Sequence, residues 1–134
     1  MIKVFENNYD RAEFYSLMGR FFAEKEYKKV LPYLENQEKL VWLLYLVDNE
    51  VQAFSSFIIK GSKIQFKDDF YIAGNINYLK ELFKAKMEKL KGIEKPMETG
   101  TDNKEIKELY LQYGFAEVRR TKNYTFLAKE DING

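Results

Sequence analysis

The sequence contains no cysteine and no histidine among its 134 residues. Without cysteine, the chain can form no disulfide, no thiolate metal site and no thiol nucleophile. Without histidine, it lacks the commonest metal ligand and the commonest general base. These absences exclude thiol-based catalysis and most zinc chemistry, and we expect no bound metal.

The sequence also lacks a charge excess and a long apolar run. Its 22 Lys and Arg residues nearly balance 21 Asp and Glu residues, so the net charge of +1 provides no overall attraction to nucleic acid or to an acidic membrane. The longest apolar run, residues 40–47, is too short to span a bilayer, and residues 1–6 lack the apolar core of a signal peptide. We predict a cytoplasmic protein with no membrane association.

What is present favours a packed structure. Apolar residues make up 46% of the chain and aromatic residues 16%, with only 2 prolines. Such a composition can bury a core and does not predict disorder. The length is close to that of one domain, and no repeat or linker divides the chain. We therefore predict a single domain over residues 1–134.

Apolar periodicity and turn residues predict the first half of the chain. Asp10 with Glu13 three residues later is typical of a helix N-terminus. Pro32 predicts a short or bent second helix. Residues 40–47 are apolar on both faces, which predicts an inner strand with a hairpin partner after it. Residues 63–72 predict either a long strand with a bulge or two shorter strands.

The second half contains two amphipathic helices and three further strands. Gly92 is expected to end the first of these helices, and Pro96 interrupts the strand that follows it. Asp102 is predicted to cap the second helix, which ends at Gly114. The complete order is β-α-α-β-β-β-α-β-α-β-β, which indicates an α/β chain.

The most informative segment is residues 102–115, a capped helix with a glycine stop. Asn103 leads the helix, Tyr110 follows seven residues later, and the helix ends in Gly114 and Phe115. This pattern and the element order resemble those of the GNAT N-acetyltransferases. The resemblance implies a GNAT-like fold, with a central mixed, mostly antiparallel sheet of about six to seven strands flanked by about four helices. It also implies transfer of an acyl group from acetyl-CoA, or another acyl-CoA, to an amine.

The resemblance implies roles for individual residues. Tyr110 matches the phenol that protonates the departing thiolate during direct attack in a ternary complex. Packing of a helix onto the sheet is the competing explanation for Tyr110, and Tyr113 is the alternative acid. Glu98, on the predicted fifth strand, is the candidate base, and Asp68 or Asp69 on the fourth strand are alternatives.

In the family, backbone amides at the start of the central helix bind the pyrophosphate of coenzyme A, a site that the helix dipole favours. The residues that match this cofactor site are Tyr71, Ile72, Gly74, Asn75, Ile76, Asn77, Asn103 and Tyr110. The loop departs from the family pattern Gln/Arg-x-x-Gly-x-Gly/Ala, because it has one glycine and no Gln or Arg at the expected spacing. Asn75, Asn77 and Asn103 can equally be ordinary helix caps.

Three other features suggest contacts with a ligand or with solvent. Ser55 and Ser56 interrupt an apolar strand, so they either line a substrate groove or satisfy their hydroxyls within the sheet. The basic run at residues 119–123 suggests contact with nucleic-acid phosphates or an acidic partner, or else a solvated hairpin tip. The lysines of the central helix, Lys86 among them, are expected on its solvated face.

The acceptor is predicted to be an amine on a small molecule or a protein. Two other functions stay open. One is a GNAT-fold binding or regulatory module that has lost coenzyme A binding, and the other is a divergent phage-type enzyme that modifies a nucleobase or a host protein. Exposed aromatics such as Phe70 and Tyr71 would serve a homodimer.

Overall fold

The computed structural model describes residues 1–130, so the last four residues of the predicted domain lie outside the described range. Within that range the helices are α1 (Arg11–Ala23), α2 (Lys25–Val30), α3 (Asn77–Leu90) and α4 (Lys104–Gln112). The strands are β1 (Ile2–Phe5), β2 (Val41–Val47), β3 (Glu50–Ile59), β4 (Ile64–Tyr71), β5 (Met97–Thr101), β6 (Ala116–Arg120) and β7 (Thr125–Lys129).

The strands form one seven-stranded sheet in the order β1-β2-β3-β4-β5-β7-β6. Each neighbouring pair is antiparallel except β4 and β5, which run parallel. The predicted element order and the predicted mixed, mostly antiparallel sheet are therefore confirmed. The apolar β2 lies inside the sheet, and β4 is a single long strand with a bulge.

Local sequence determines where several elements begin and end. The side chain of Asp10 caps α1 by accepting a hydrogen bond from the Glu13 amide at 3.2 Å. The short helix α2 ends ahead of Pro32, because proline disfavours helical geometry in the residue before it. Asp48 and Asn49 join β2 to β3 with positive φ angles of 52° and 63°, the geometry of a tight type I′ hairpin turn.

The N-terminus of α4 differs from the prediction by one residue. Asn103, not Asp102, is the cap, and its Oδ1 accepts a hydrogen bond from the Ile106 amide at 3.0 Å. The backbone of Asn103 is extended, with φ −103° and ψ 121°, as a capping residue requires. At the other end, Gly114 has a φ of 90° and ends the helix as predicted.

Each face of the sheet carries one helical layer with its own core. The first core joins α1 to the sheet and is formed by Phe5, Phe14, Met18, Phe21, Leu40, Trp42, Leu44, Leu46, Val51 and Phe54. The second joins α3 and α4 to the opposite face and includes Leu43, Phe57, Phe66, Leu79, Leu82, Phe83, Leu90, Ile106, Leu109 and Tyr110. These buried side chains provide most of the driving force for folding.

Two aromatic residues of the first core differ in how deeply they are buried. Trp42, the only tryptophan, is fully buried, and its Nε1 donates a hydrogen bond to Asn36 Oδ1 at 3.0 Å. Phe70 was predicted to be exposed, but it is half-buried and stacks on Phe54 with ring centroids 5.2 Å apart. Phe70 is therefore less exposed than the sequence suggests, and its role at a dimer interface stays a prediction. No helix within residues 1–130 is both long enough and apolar enough to cross a bilayer.

Candidate functional site

The strands β4 and β5 separate after a short paired stretch. They pair only at Ile64 with Met97 and at Gln65 with Glu98, which are the first residues of each strand. Beyond these pairs the strands diverge and leave a cavity of about 850 Å³. Asp69, Phe70, Tyr71, Thr101, Asn103 and residues of α2 line this cavity, which we call the β4–β5 cleft. A cleft at the carboxyl ends of diverging strands is a common location for a ligand.

The bulge in β4 lies at the edge of this cleft. Ser55 pairs with Asp69 and Phe57 pairs with Phe66, so two residues of β4 oppose the single residue Ser56. The Ser56 hydroxyl accepts a hydrogen bond from the Asp68 amide at 3.0 Å, which satisfies the backbone where the ladder is interrupted. The interruption changes the alternation of side chains, so the adjacent residues Asp68 and Asp69 have different surroundings.

Asp69 belongs to a buried polar network under α3. Its Oδ1 accepts hydrogen bonds from Ser55 Oγ at 2.6 Å and from Lys86 Nζ at 3.3 Å, and its Oδ2 accepts one from the Tyr110 hydroxyl. Lys86 is completely buried. Its Nζ also contacts Ser55 Oγ at 2.9 Å and the Tyr110 hydroxyl at 3.2 Å. We call these four residues the Lys86 network.

Donors and acceptors in the Lys86 network match in number. Ser55 and Tyr110 both donate to Asp69, so each has an oxygen lone pair available to Lys86. Together with Asp69, they offer three acceptors, which is what the three N–H donors of an ammonium group require. Burial lowers the pKa of Lys86 and the Asp69 carboxylate opposes that shift. The hydrogen-bond pattern therefore favours a charged, fully paired lysine.

Lys86 also lies among aromatic rings. Its Nζ is 3.8 Å from the centroid of the Phe83 ring and 4.4 Å from that of Phe66, distances at which a ring face attracts a cation. The Tyr110 ring lies beside the same ammonium group and is itself fully buried. Burial, and then the charge of Asp69, raise the pKa of the Tyr110 hydroxyl well above its usual value. The phenol is therefore protonated at neutral pH.

Asp68 faces a different environment, a cavity of about 170 Å³ beneath the chain that follows α2. Leu31, Pro32, Thr101 and Tyr124 also line this cavity. Among residues 1–130, no hydrogen bond or ion pair reaches the Asp68 carboxyl group. Burial, and then the nearby charge of Asp69, raise the pKa of Asp68 to about 7. A carboxyl group with such a pKa can take up a proton at neutral pH.

The start of α3 lies directly after β4. Gly74 has a φ of 82°, and Ile76 is the N-terminal flanking residue, with no side-chain cap. The alternative that Asn75 or Asn77 caps α3 is therefore wrong. Within the part of the chain that the structure describes, no hydrogen bond occupies the amides of Asn77 and Tyr78, and the first turn has no acidic residue. These features leave the positive end of the helix dipole available to an anion.

Tyr71 and Asn103 stand on opposite sides of the β4–β5 cleft and are joined across it. Asn103 Nδ2 donates to the Tyr71 hydroxyl at 3.2 Å, and that hydroxyl donates to Glu105 Oε1 at 2.7 Å. Asn103 therefore combines two roles: its oxygen caps α4 and its amide nitrogen contacts the cleft wall. Capping, one of the predicted explanations for Asn103, is confirmed.

The structure brings most of the predicted site residues to one end of the sheet. Tyr71, Ile72 and Asn103 line the β4–β5 cleft, and Tyr110 lies behind it in the Lys86 network. Glu98 is not among them. It lies at the paired end of β5 and forms an ion pair with Lys63 at 2.7 Å.

Lys86 was missed in the sequence, and its expected position on the solvated face of α3 is wrong. A signal was present, because Lys86 lies four residues after Leu82 and four before Leu90, on the apolar stripe of the helix. Lysine is rarely fully buried, so the residue type predicts a solvated side chain at this position. Of the two predicted alternatives for the serines, the second is confirmed, since Ser55 and Ser56 satisfy their hydroxyls within the sheet.

Comparison with known proteins identifies the fold. No protein-family model and no curated protein matches the sequence. Among solved structures, Escherichia coli ElaA superimposes with a TM-score of 0.71 at 15% identity, covering 97% of this chain and 100% of that chain. An acyl-CoA N-acyltransferase from Pseudomonas aeruginosa gives 0.70 at 12% identity, covering 96% of this chain and 98% of that one.

A third similar structure contains a ligand. Campylobacter jejuni N-acetyltransferase PseH, in complex with acetyl coenzyme A, superimposes with a TM-score of 0.61 at 13% identity, covering 97% of this chain and 99% of that chain. Identities this low establish the architecture and not the activity. The seven-stranded sheet, its single parallel pair and the four helices together are the GNAT fold.

Proposed function

We propose that this protein is an acyl-CoA-dependent N-acyltransferase, most simply an acetyltransferase, that transfers the acyl group directly to an amine in a ternary complex. The observation that carries the proposal is the position of Asp68. A carboxyl group with no partner in the described chain and a pKa of about 7 lines a cavity that shares Pro32, Asp69 and Thr101 with the cleft of about 850 Å³. The fold is one on which N-acetyltransferases are built.

The acyl-CoA would lie in the β4–β5 cleft. Tyr71, Ile72 and Asn103 form its walls. The backbone amides of Gly74, Ile76 and Asn77 would meet the pyrophosphate at the start of α3, whereas the Asn75 amide donates to Ile72 O at 3.0 Å. Backbone donors need little side-chain identity, so the missing Gln/Arg-x-x-Gly-x-Gly/Ala pattern does not remove them. The volume of the cleft falls within the range of about 300–1,000 Å³ that is common for ligand sites.

Asp68 is the proposed general base. The amine nitrogen attacks the thioester carbonyl carbon, its surplus proton passes to the Asp68 carboxylate, and the carbon–sulfur bond breaks. The departing thiolate takes up one proton from Tyr110, so the products are an amide, a thiol, a protonated Asp68 and a deprotonated Tyr110. Loss of the Asp68 proton to solvent and uptake of one proton by Tyr110 restore both groups. Glu98, the base predicted from the sequence, is replaced in this role because it is paired with Lys63 at the other end of β5.

Tyr110 is the proposed acid for the thiolate. Its raised pKa keeps the phenol protonated, and Lys86 Nζ lies 3.2 Å from the hydroxyl. The same shift makes the phenol a weaker acid, so we expect Tyr110→Phe to lower turnover by about ten- to a hundredfold, at the low end of general acid catalysis. Unchanged turnover in a folded Tyr110→Phe variant would leave Tyr110 with a packing role only.

Calorimetric titration with acetyl-CoA tests the proposed function. Dephospho-CoA and adenosine 3′,5′-bisphosphate are the controls, because they separate the contributions of the 3′-phosphate and the pantetheine arm. We expect binding near the micromolar range, followed by acetylation in an amine screen. No heat and no thermal stabilisation at millimolar acetyl-CoA would contradict the enzyme and favour a binding module on the same fold.

A further inference from the structure

A second polar cavity lies between the start of α4 and the tip of the β6–β7 hairpin. Its volume is about 300 Å³. The charged side chains that line it are Asp102, Lys104, Lys107, Arg120 and Lys122. We call it the cationic cavity. The basic run at residues 119–123 thus faces a cavity whose other wall is the first turn of a helix.

The cationic cavity carries more positive charge than its own carboxylates neutralise. Glu117 pairs with Arg120 at 2.7 Å and lies 3.6 Å from Lys107, and Asp102 is the acidic residue in the lining. Four cationic side chains against these two carboxylates leave an excess of two positive charges. Within residues 1–130, no hydrogen bond or ion pair involves the ammonium groups of Lys104 and Lys122.

Lys104 and Lys107 both lie in the first four residues of α4, where the helix dipole is positive. Glu105 is the acidic residue of this turn, and its Oε1 accepts a hydrogen bond from Tyr71. A phosphate group carries a charge of about −1.5 to −2 at pH 7 and presents several strong acceptor oxygens. Its charge therefore matches the excess in the cationic cavity, and its oxygens match ammonium and guanidinium donors.

The cationic cavity adjoins the cavity that contains Asp68. Thr101, Asp102 and Tyr124 line both of them. A small molecule that extends past these shared residues would place one end near the proposed base and the other near Lys104 and Lys122. On this geometry, and resting on the proposed function, we propose that the acceptor is an amine that carries a phosphate group, and that the cationic cavity binds the phosphate.

A small acceptor fits these observations better than a nucleic acid does. The cations converge on one concave volume of about 300 Å³, whereas a nucleic-acid surface presents cations along a backbone of regularly spaced phosphates. The overall net charge of +1 provides no general attraction to a polyanion.

The test uses ω-aminoalkyl phosphates of increasing chain length, each paired with the amino alcohol that lacks the phosphate. Binding to the full chain is followed by amide chemical shifts at residues 101–104 and 121–125, with acetyl-CoA present and absent. The variants are Lys122→Glu and Lys104→Glu. Lys60→Glu is the control, because it makes the same charge change after β3, at the opposite end of the sheet from the cavity.

We expect the aminoalkyl phosphates to shift these amides and the amino alcohols to leave them unchanged. Lys122→Glu and Lys104→Glu should each weaken phosphate binding by about tenfold or more, since each removes a charge-assisted contact. Lys60→Glu should leave it unchanged. In turnover, the loss should appear as a higher KM for the phosphorylated amine, with kcat nearly constant.

Two results would overturn the inference. One is equal binding of the phosphorylated and unphosphorylated amines, or equal affinity in Lys122→Glu and Lys60→Glu. The other is preferential, Lys122-dependent binding of an oligonucleotide with no binding of the small phosphates, which would identify a nucleic-acid surface. Phosphate binding without any acetylation would support the phosphate site and contradict the proposed acyltransferase activity. Acetylation of the amino alcohols with the same KM as the aminoalkyl phosphates would support the activity and contradict the phosphate site.

Discussion

Asp68 and Asp69 are neighbours in β4, yet their carboxyl groups differ in the contacts that control ionisation. Asp69 accepts hydrogen bonds from Ser55, Tyr110 and the buried Lys86. Burial, and then the charge of Asp69, raise the pKa of Asp68 to about 7, and no cation within residues 1–130 pairs with its carboxyl group. Two neighbouring aspartates of one strand thus differ chiefly in their partners, because a buried cation pairs with the Asp69 carboxyl group and not with that of Asp68.

The largest effect should come from removing Lys86, the cation that pairs with Asp69. Lys86→Met would leave the Asp69 carboxylate buried without its ion pair, and we expect the free energy of unfolding to fall by about 3–5 kcal/mol. Lys84→Met is the matched control, because Lys84 is exposed on the same helix and should change stability by less than about 0.5 kcal/mol. Chemical denaturation measures both.

A double variant sharpens this prediction. Adding Asp69→Asn to Lys86→Met removes the uncompensated charge, so much of the lost stability should return. Equal unfolding free energies for Lys86→Met and Lys84→Met would contradict the buried ion pair.

The next effect concerns the proposed catalytic role of Asp68. Asp68→Asn removes the proposed base, and we expect turnover to fall by about 10²- to 10⁴-fold. In the unchanged protein, kcat/KM should rise with pH and level off above a pKa of about 7, because only ionised Asp68 accepts the proton. The variant should lose this inflection, and an inflection that persists would assign the base to another group.

Two adjacent serines provide a smaller, matched comparison. Ser55→Ala removes a hydrogen bond to the Asp69 carboxylate and an acceptor for Lys86, so it should cost about 1.5–3 kcal/mol of unfolding free energy. Ser56→Ala removes only the acceptor for the Asp68 amide and should cost about 1 kcal/mol. Thermal and denaturant unfolding measure the loss in each variant. A larger loss for Ser56→Ala than for Ser55→Ala would contradict the stabilising role of the Lys86 network.

A further prediction concerns the pH dependence of stability. The pKa of Asp68 is raised from 3.8 to about 7 in the folded protein, so the folded state binds the proton more tightly than the unfolded state. Its contribution to stability is present below about pH 4 and is lost as the pH rises through 7. Asp68→Asn should therefore be more stable than the unchanged protein at pH 8 and similar to it at pH 4. A constant difference across this range would argue against the raised pKa.

The sequence predicted the fold well because the fold depends on local patterns of residue types along the chain. Helical apolar stripes, the Asp10 cap, the turn at residues 48–49 and the stop at Gly114 are local signals. The site was harder to predict. The two predicted alternatives for β4 included a bulge, but which carboxylate faces which side depends on the register between strands, and a shift of one residue exchanges the faces.

Glu98 and Lys86 illustrate two different limits. The distance of Glu98 from the cleft follows from where β4 and β5 separate, which is a property of two strands far apart in sequence. Lys86 lies on an apolar stripe that the sequence shows, but burial of a lysine needs acceptors on other elements. Those acceptors, on β3, β4 and α4, become visible only when the chain is folded.

The single tryptophan makes one half of this molecule visible by fluorescence. Trp42 is fully buried in the core beneath α1, and the Lys86 network lies in the core on the opposite face of the sheet. Tryptophan emission therefore reports the solvent exposure of the α1 side alone, while circular dichroism reports backbone structure throughout. If the two signals change at different denaturant concentrations, the two layers unfold as separate cooperative units.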